Sequence, residues 1–240
     1  MLKASDNEAH ARFGRSVAIN GDYAIVGAST YGGSTYNIAG TAYIFERDEN
    51  GNWGESVGGQ IYRKETQLLK TNTPVVEQDG FGSSVSISGN YAIVGAYGED
   101  TTGGNGGAAY LFATTNDGES WSQKQMLTIS GTSEFAYSVS ISGNYAIVGS
   151  HKNNSNKGAA YVYLTTNGTS WTLKSTITAD NGESNDSFGK SVYINGDLAI
   201  VGAYRESSNG YGNNNSTPNS GAAYIFRTTN SGTSWYQTQM

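Results

Sequence analysis

Apolar and polar positions along this 240-residue chain follow one pattern, written four times. Each copy opens on a phenylalanine and a run that alternates apolar and polar residues: FGRSVAIN from Phe13, FGSSVSIS from Phe81, FAYSVSIS from Phe135 and FGKSVYIN from Phe188. Such alternation predicts a half-buried strand. A short Gly-centred turn follows, at Asn20-Gly21-Asp22, Ser88-Gly89-Asn90, Ser142-Gly143-Asn144 and Asn195-Gly196-Asp197. Its glycine supplies the positive φ that a tight hairpin demands. The next run, YAIVGA or its equivalent from Tyr23, Tyr91, Tyr145 and Leu198, is almost continuously apolar, as in a strand covered on both faces. A third stretch starts at Gly40, Gly107, Gly158 and Gly221, and a fourth follows Trp53, Trp121, Trp171 and Trp235.

The pattern therefore predicts four strands per copy, in an all-β chain. A small sheet with two apolar faces cannot cover both by itself; copies stacked face to face around an axis do. The expected architecture is a β-propeller of four-stranded antiparallel blades filling residues 1–240 as one domain. The blades run approximately over 13–80, 81–134, 135–187 and 188–240, with 1–12 completing the outer strand and connector of the last. Either four blades close into a ring or they form part of a larger one. An excess of residues after Trp53, around GESVGGQIYR, is either an extended hairpin or a contact element.

Composition sharpens this. Gly 33 against Pro 2 disfavours long helices and suits short strands joined by tight turns. A net charge of −6 argues against nucleic acid as partner, because phosphate binding needs a basic stripe. Cys 0 excludes a thiol nucleophile and a cysteine-held metal. No apolar run is long enough to cross a membrane as a helix, and the first residues, MLKASDNEAH, have no apolar core of the signal-peptide kind.

The Phe-Gly openings, the Gly-Ala after the second strand and the glycine that opens the third resemble the FG-GAP repeat of integrin α-subunit propellers and their bacterial relatives. The resemblance implies the propeller fold, an extracellular or cell-surface location and a role in adhesion. Calcium-binding members carry an aspartate-rich loop between the first two strands. Here that loop is reduced to the four short turns, whose single carboxylate or none cannot give calcium its six to eight oxygens. No metal and no cofactor are expected. Thr114–Trp121 and Thr228–Trp235 are also similar to the Asp-box hairpin of sialidase-type propellers, with asparagine in the aspartate position. That hairpin is a structural element and does not imply glycosidase chemistry.

Connections between the second and third strands are the variable part, and in such a blade they share a face with the blade-to-blade connectors. They place Tyr31, Tyr36, Tyr97, Glu99, Asp100, His151, Tyr204, Glu206 and Tyr211 on one polar, tyrosine-studded face that reads as acidic. Scaffolded loops of this kind carry recognition, and tyrosine gives contact area at low entropic cost. The expectation is a non-catalytic extracellular binding or adhesion module for a protein or a glycan. Alternatives are a structural spacer or assembly subunit of a larger surface protein and, more remotely, a divergent glycoside hydrolase. Self-association, or further blades that complete the ring, also fits the pattern. No nucleophile motif, histidine cluster or phosphate-binding loop is present.

Overall fold

The computed structural model describes residues 1–6, 11–29, 39–56, 58, 63–69, 71–72, 79–100, 106–207 and 218–239. The first blade consists of β1 (Phe13–Asn20), β2 (Tyr23–Ala28) and β3 (Thr41–Glu46), followed by a two-stranded hairpin of β4 (Glu55–Ser56) and β5 (Arg63–Lys64), and then β6 (Gln67–Leu69). The excess after Trp53 is thus a hairpin inserted before the outer strand. The second blade holds β7 (Ser84–Ser88), β8 (Tyr91–Ala96), β9 (Ala108–Thr114) and β10 (Trp121–Leu127). The third holds β11 (Ser138–Ser142), β12 (Tyr145–Ser150), β13 (Ala159–Thr165) and β14 (Trp171–Ile177). The fourth holds β15 (Phe188–Asn195), β16 (Leu198–Ala203), β17 (Ala222–Arg227) and β18 (Tyr236–Gln239). Each blade is an antiparallel meander in chain order.

The turn chemistry is as the residues dictate. Asn20 pairs with Tyr23 and Ser142 with Tyr145, leaving two loop residues with glycine first. Gly21, Gly89, Gly143 and Gly196 all have φ between 52 and 57°, the positive value that a type II′ hairpin needs at that position.

The core lies between blades. Ile25, Ala42, Ile44 and Leu69 of the first blade pack on Phe81, Val85, Ile87 and Val94 of the second. Ile93, Ala109 and Leu111 of the second meet Phe135, Val139 and Ile141 of the third, and Ile147, Ala160 and Val162 of the third meet Phe188 and Ile194 of the fourth. The backbones approach closely at these seams. A Cβ on Gly27, Gly95 or Gly149 would collide with the carbonyl oxygen of Gly82, Ala136 or Gly189 in the next blade. The two outermost faces are different: Val17 and Ile19 on β1, and Tyr193, Leu198 and Ile200 on β15 and β16, are exposed. The first and fourth blades leave each other uncovered, so the described residues form an open stack of four blades.

Candidate functional site

Third-strand tyrosines anchor the loop face from below. Tyr43 donates to Asp6 Oδ2 at 2.7 Å, Tyr110 to Glu99 Oε2 at 2.8 Å and Tyr224 to Asn181 Oδ1 at 2.9 Å, while Tyr161 accepts from Asn153 Nδ2 at 3.0 Å. The loop roots are pinned by matching backbone bonds. Gly107, Gly158 and Gly221 amides donate to the carbonyls of Glu99, Asn153 and Glu206. Burial holds the Tyr43 and Tyr163 phenols far above their ordinary range and pushes Tyr224 up to about 12.

These anchors consume the acidic residues of the face. Glu99 and Glu206 are buried, Glu99 on Tyr110 and Glu206 Oε1 accepting from Asn181 Nδ2 at 3.2 Å. Asp186 is buried as well, its carboxylate accepting the Glu183 amide at 2.6 Å. Burial raises its pKa, with Glu206 and Glu183 nearby adding to the rise against that amide. The acidic reading of the face is therefore corrected. Glu99 and Glu206, each three residues past the end of the second strand, hold the fold from inside: Glu99 takes the Tyr110 hydroxyl directly, and Glu206 holds Asn181, which takes that of Tyr224, because a buried hydroxyl needs a partner. Asp100 remains exposed, beside buried Asp79 and Glu99, with the three carboxylates within 4.8 Å of one another. Glu99 is already engaged by Tyr110.

What stays open is a cleft of about 340 Å³ where the loop ends of the second, third and fourth blades converge, a size within the usual range for ligand sites. Tyr97, Tyr137 and Tyr204 supply aromatic walls, and Lys152, Lys190 and Arg205 supply charge. Tyr97 is buried with its ring 5.3 Å from that of Tyr137, and Tyr137 meets the His151 imidazole edge-on at 4.3 Å. The Lys190 ammonium sits 3.7 Å above the Tyr137 ring and 5.4 Å from that of Tyr204, and the Arg205 guanidinium lies 5.2 Å from Tyr204. These are cation–π distances.

His151 forms the floor. It is 4% exposed, and its Nε2 lies 3.2 Å from Lys190 Nζ and 3.5 Å from Glu134 Oε2. Burial first, then the positive charges of Lys190, Lys152 and Arg205, lower its pKa to about 4. The imidazole is neutral at pH 7, Nε2 accepts from Lys190, and the ring proton falls on Nδ1, which has no hydrogen-bond partner among the described residues. Glu134 also pairs with Lys152, so one carboxylate faces three cations around the cleft.

Of the sequence-predicted site residues, Tyr97, His151 and Tyr204 come together in this cleft. Glu99 and Glu206 lie beneath the face, Asp100 stands apart, and Tyr31, Tyr36 and Tyr211 lie outside the described residues. Sequence reasoning missed Tyr137, Lys152, Lys190 and Arg205. A signal was present: Tyr137 and Lys190 share one repeat position with Arg15 and Ser83, directly after the Phe-Gly pair, and it is the place where the copies disagree. Lys152 and Arg205 follow His151 and Tyr204 at the equally variable start of the loops.

Blades of this build, with a variable loop face over a repeated core, define a propeller-type repeat scaffold. The FG-GAP repeat family matches residues 1–45, 75–112, 121–163 and 171–226, and the chain belongs to that family. No curated protein sequence matches it. Among solved structures it is similar to Sqt1 of Saccharomyces cerevisiae, at 14% identity and a TM-score of 0.39, over 64% of this chain and 33% of that one. Among the described residues no helix is long and apolar enough to cross a membrane.

Proposed function

We propose that the chain is a non-catalytic extracellular binding module whose loop-face cleft takes an anionic group, a carboxylate or sulfate, carried by a glycan. FG-GAP repeats are commonly binding or adhesion modules, and the cleft supplies the chemistry for this reading. The observation that carries it is the gathering of Lys152, Lys190 and Arg205 around tyrosine walls in a chain of net charge −6. Cations held over aromatic rings and beside a neutral imidazole keep their charge available to an incoming anion. Tyrosine faces offer sugar rings a flat apolar surface.

An array of sulfated and uronate-bearing glycans with neutral counterparts tests this. Binding to acidic probes, weakened by salt and reduced at least tenfold in a Lys190→Gln/Arg205→Gln variant, is the expected result. Exposed Tyr204 is the aromatic to truncate, since buried Tyr97 holds the cleft in shape. Equal binding to neutral glycans, or capture of acidic peptides with no glycan bound, overturns the glycan reading.

A further inference from the structure

Each seam inside the chain is assembled from the same parts. A back-face serine reaches across to a backbone carbonyl: Ser16 Oγ to Gly82 at 2.8 Å, Ser84 Oγ to Ala136 at 3.0 Å and Ser138 Oγ to Gly189 at 2.8 Å. The amide of the next blade's turn glycine answers. Gly89 donates to Asn20 Oδ1 at 2.9 Å, Gly143 to Ser88 Oγ at 3.0 Å and Gly196 to Ser142 Oγ at 3.3 Å. A second-strand tyrosine meets the following blade's tryptophan edge-on, Tyr23 on Trp121, Tyr91 on Trp171 and Tyr145 on Trp235, at 5.5 to 6.0 Å between ring centres.

Both end faces carry the matching halves of this seam. On the front of the first blade Val17 and Ile19 are 67% and 65% exposed, while their counterparts Val85 and Ile87 are 8% and 5%. On the back of the fourth blade Ile200 is 42% exposed against 0% for Ile147, beside exposed Tyr193 and Leu198. Ser191 and Asn195 occupy the repeat positions of Ser138 and Ser142 and are exposed where those are half-buried, and Gly14 is exposed where its counterpart Gly189 is buried; Gly21 stands at the turn position of Gly196. Trp53 is half-buried, whereas Trp121, Trp171 and Trp235 are buried.

The first blade is also dressed as one that follows another. Leu2 and Ala4 pack against Val26, Tyr43 and Phe45 as Ile177 and Ala179 pack against Val201, Tyr224 and Phe226. Asp6 accepts the Tyr43 hydroxyl where Asn181 accepts that of Tyr224. A connector-like segment is thus in place on a blade whose front face no other described blade covers.

We infer that a second copy of this chain covers these faces head to tail, the fourth blade of one copy docking on the first blade of the next. The seam continues without new chemistry. Ser191 reaches the Gly14 carbonyl, Asn195 receives the Gly21 amide, and Ile200 and Leu198 cover Val17, Ile19 and Trp53. Pairing front with front would place two Val17/Ile19 faces together with no serine donor in register, an arrangement that none of the three seams shows. Such an interface is heterologous: it closes into a ring or extends as a filament according to the rotation between copies.

The test is the light-scattering mass measured across a concentration series, with Ile19→Lys as the front-blocked variant and Ile200→Lys as the back-blocked one. Wild type is expected to associate with concentration, and each variant alone to stay a monomer. A mixture of the two variants is expected to form a one-to-one dimer and stop there, because one good front and one good back remain. Both substituted side chains are solvent-facing in the single chain, and circular dichroism with melting temperature confirms that each variant folds. A wild type that stays monomeric to about 100 µM, well above ordinary micromolar interfaces, overturns the inference. So does an assembly broken by one variant and untouched by the other, or a mixture that fails to pair.

Discussion

Two consecutive residues in the third blade belong to two different regions. The Ala136 carbonyl accepts a seam bond from Ser84, and Tyr137, next along, walls the cleft. One blade later the Gly189 carbonyl accepts from Ser138 and Lys190 enters the same cleft. The seam is made of backbone, serines, branched aliphatics and aromatic rings at positions that the copies share. The cleft is made of the side chains that differ from copy to copy. Repetition builds the wall, and recognition sits where repetition lapses, one residue away.

The sharpest break of this comparison is in the seam. Ile147, fully buried between the third and fourth blades, is expected to lose about 4 kcal/mol on truncation to alanine, the transfer and cavity cost of a buried aliphatic. Ile200 occupies the same repeat position on the uncovered fourth blade. Ile200→Ala is expected to cost about half as much or less, because Ile200 is already 42% exposed and its truncation leaves no closed cavity. Urea denaturation of the two variants side by side measures both; equal losses would mean that the seams do not hold the stack. The second break uses the glycines. Gly149→Ala drives a Cβ into the Gly189 carbonyl, which belongs to a neighbouring blade and cannot yield cheaply. A loss of about 2–3 kcal/mol is expected. Gly202→Ala meets only the hydroxyl of its own blade's Ser191 and is expected to cost less than about 1 kcal/mol.

This contrast also explains how much was legible in the residues. Strands, turns and blade count could be read because YAIVGA and its neighbours carry local periodicity, and because Gly21 and its counterparts have one conformational use. The FG-GAP family followed from the same repeated positions. The loop face was legible as a location but not in its charge. Whether Glu99 points out to a ligand or in to Tyr110 depends on a hydroxyl in another strand, which periodicity does not encode. Lys190 is a single lysine in the chain order, and only the convergence of three blades places it with Arg205, Lys152 and His151.

The cleft has its own signature against pH. The folded His151 pKa of about 4 lies below the ordinary 6.5. Between those values the unfolded chain binds the proton and the folded one does not, so stability rises with pH through that window. The contribution is complete above pH 6.5 and is lost as pH falls toward 4, by at most about 1.4 kcal/mol per unit. Lys190, Lys152 and Arg205 oppose the imidazolium, with Glu134 the facing carboxylate. His151→Gln is expected to flatten this part of the curve, read as the difference in urea midpoint between wild type and variant from pH 4 to 7. An unchanged slope would mean that the histidine protonates freely and that the cleft floor is wetter than its burial implies.

The smallest effect is expected at the opposite end of the blades. Turn aspartates pair there with arginines, Asp22 with Arg47 just past β3 and Asp197 with Arg227 at the end of β17, the latter at 3.2 Å between Nε and Oδ2. Such a pair is present in the first and fourth blades, whereas the turns of the second and third carry Asn90 and Asn144, and each partner is about half exposed. Water screens the charges and ordering two long side chains offsets most of the attraction. Arg227→Gln is expected to change stability by less than about 0.5 kcal/mol, the better choice because Arg47 also lies over Trp53 at 5.8 Å. A loss above about 1 kcal/mol would show that these pairs fix the turn, as the seam glycines fix the stack. A null result would separate the buried seam, which every neighbouring pair of blades repeats and which carries energy, from the exposed ion pair, which decorates two of the four turns without holding them.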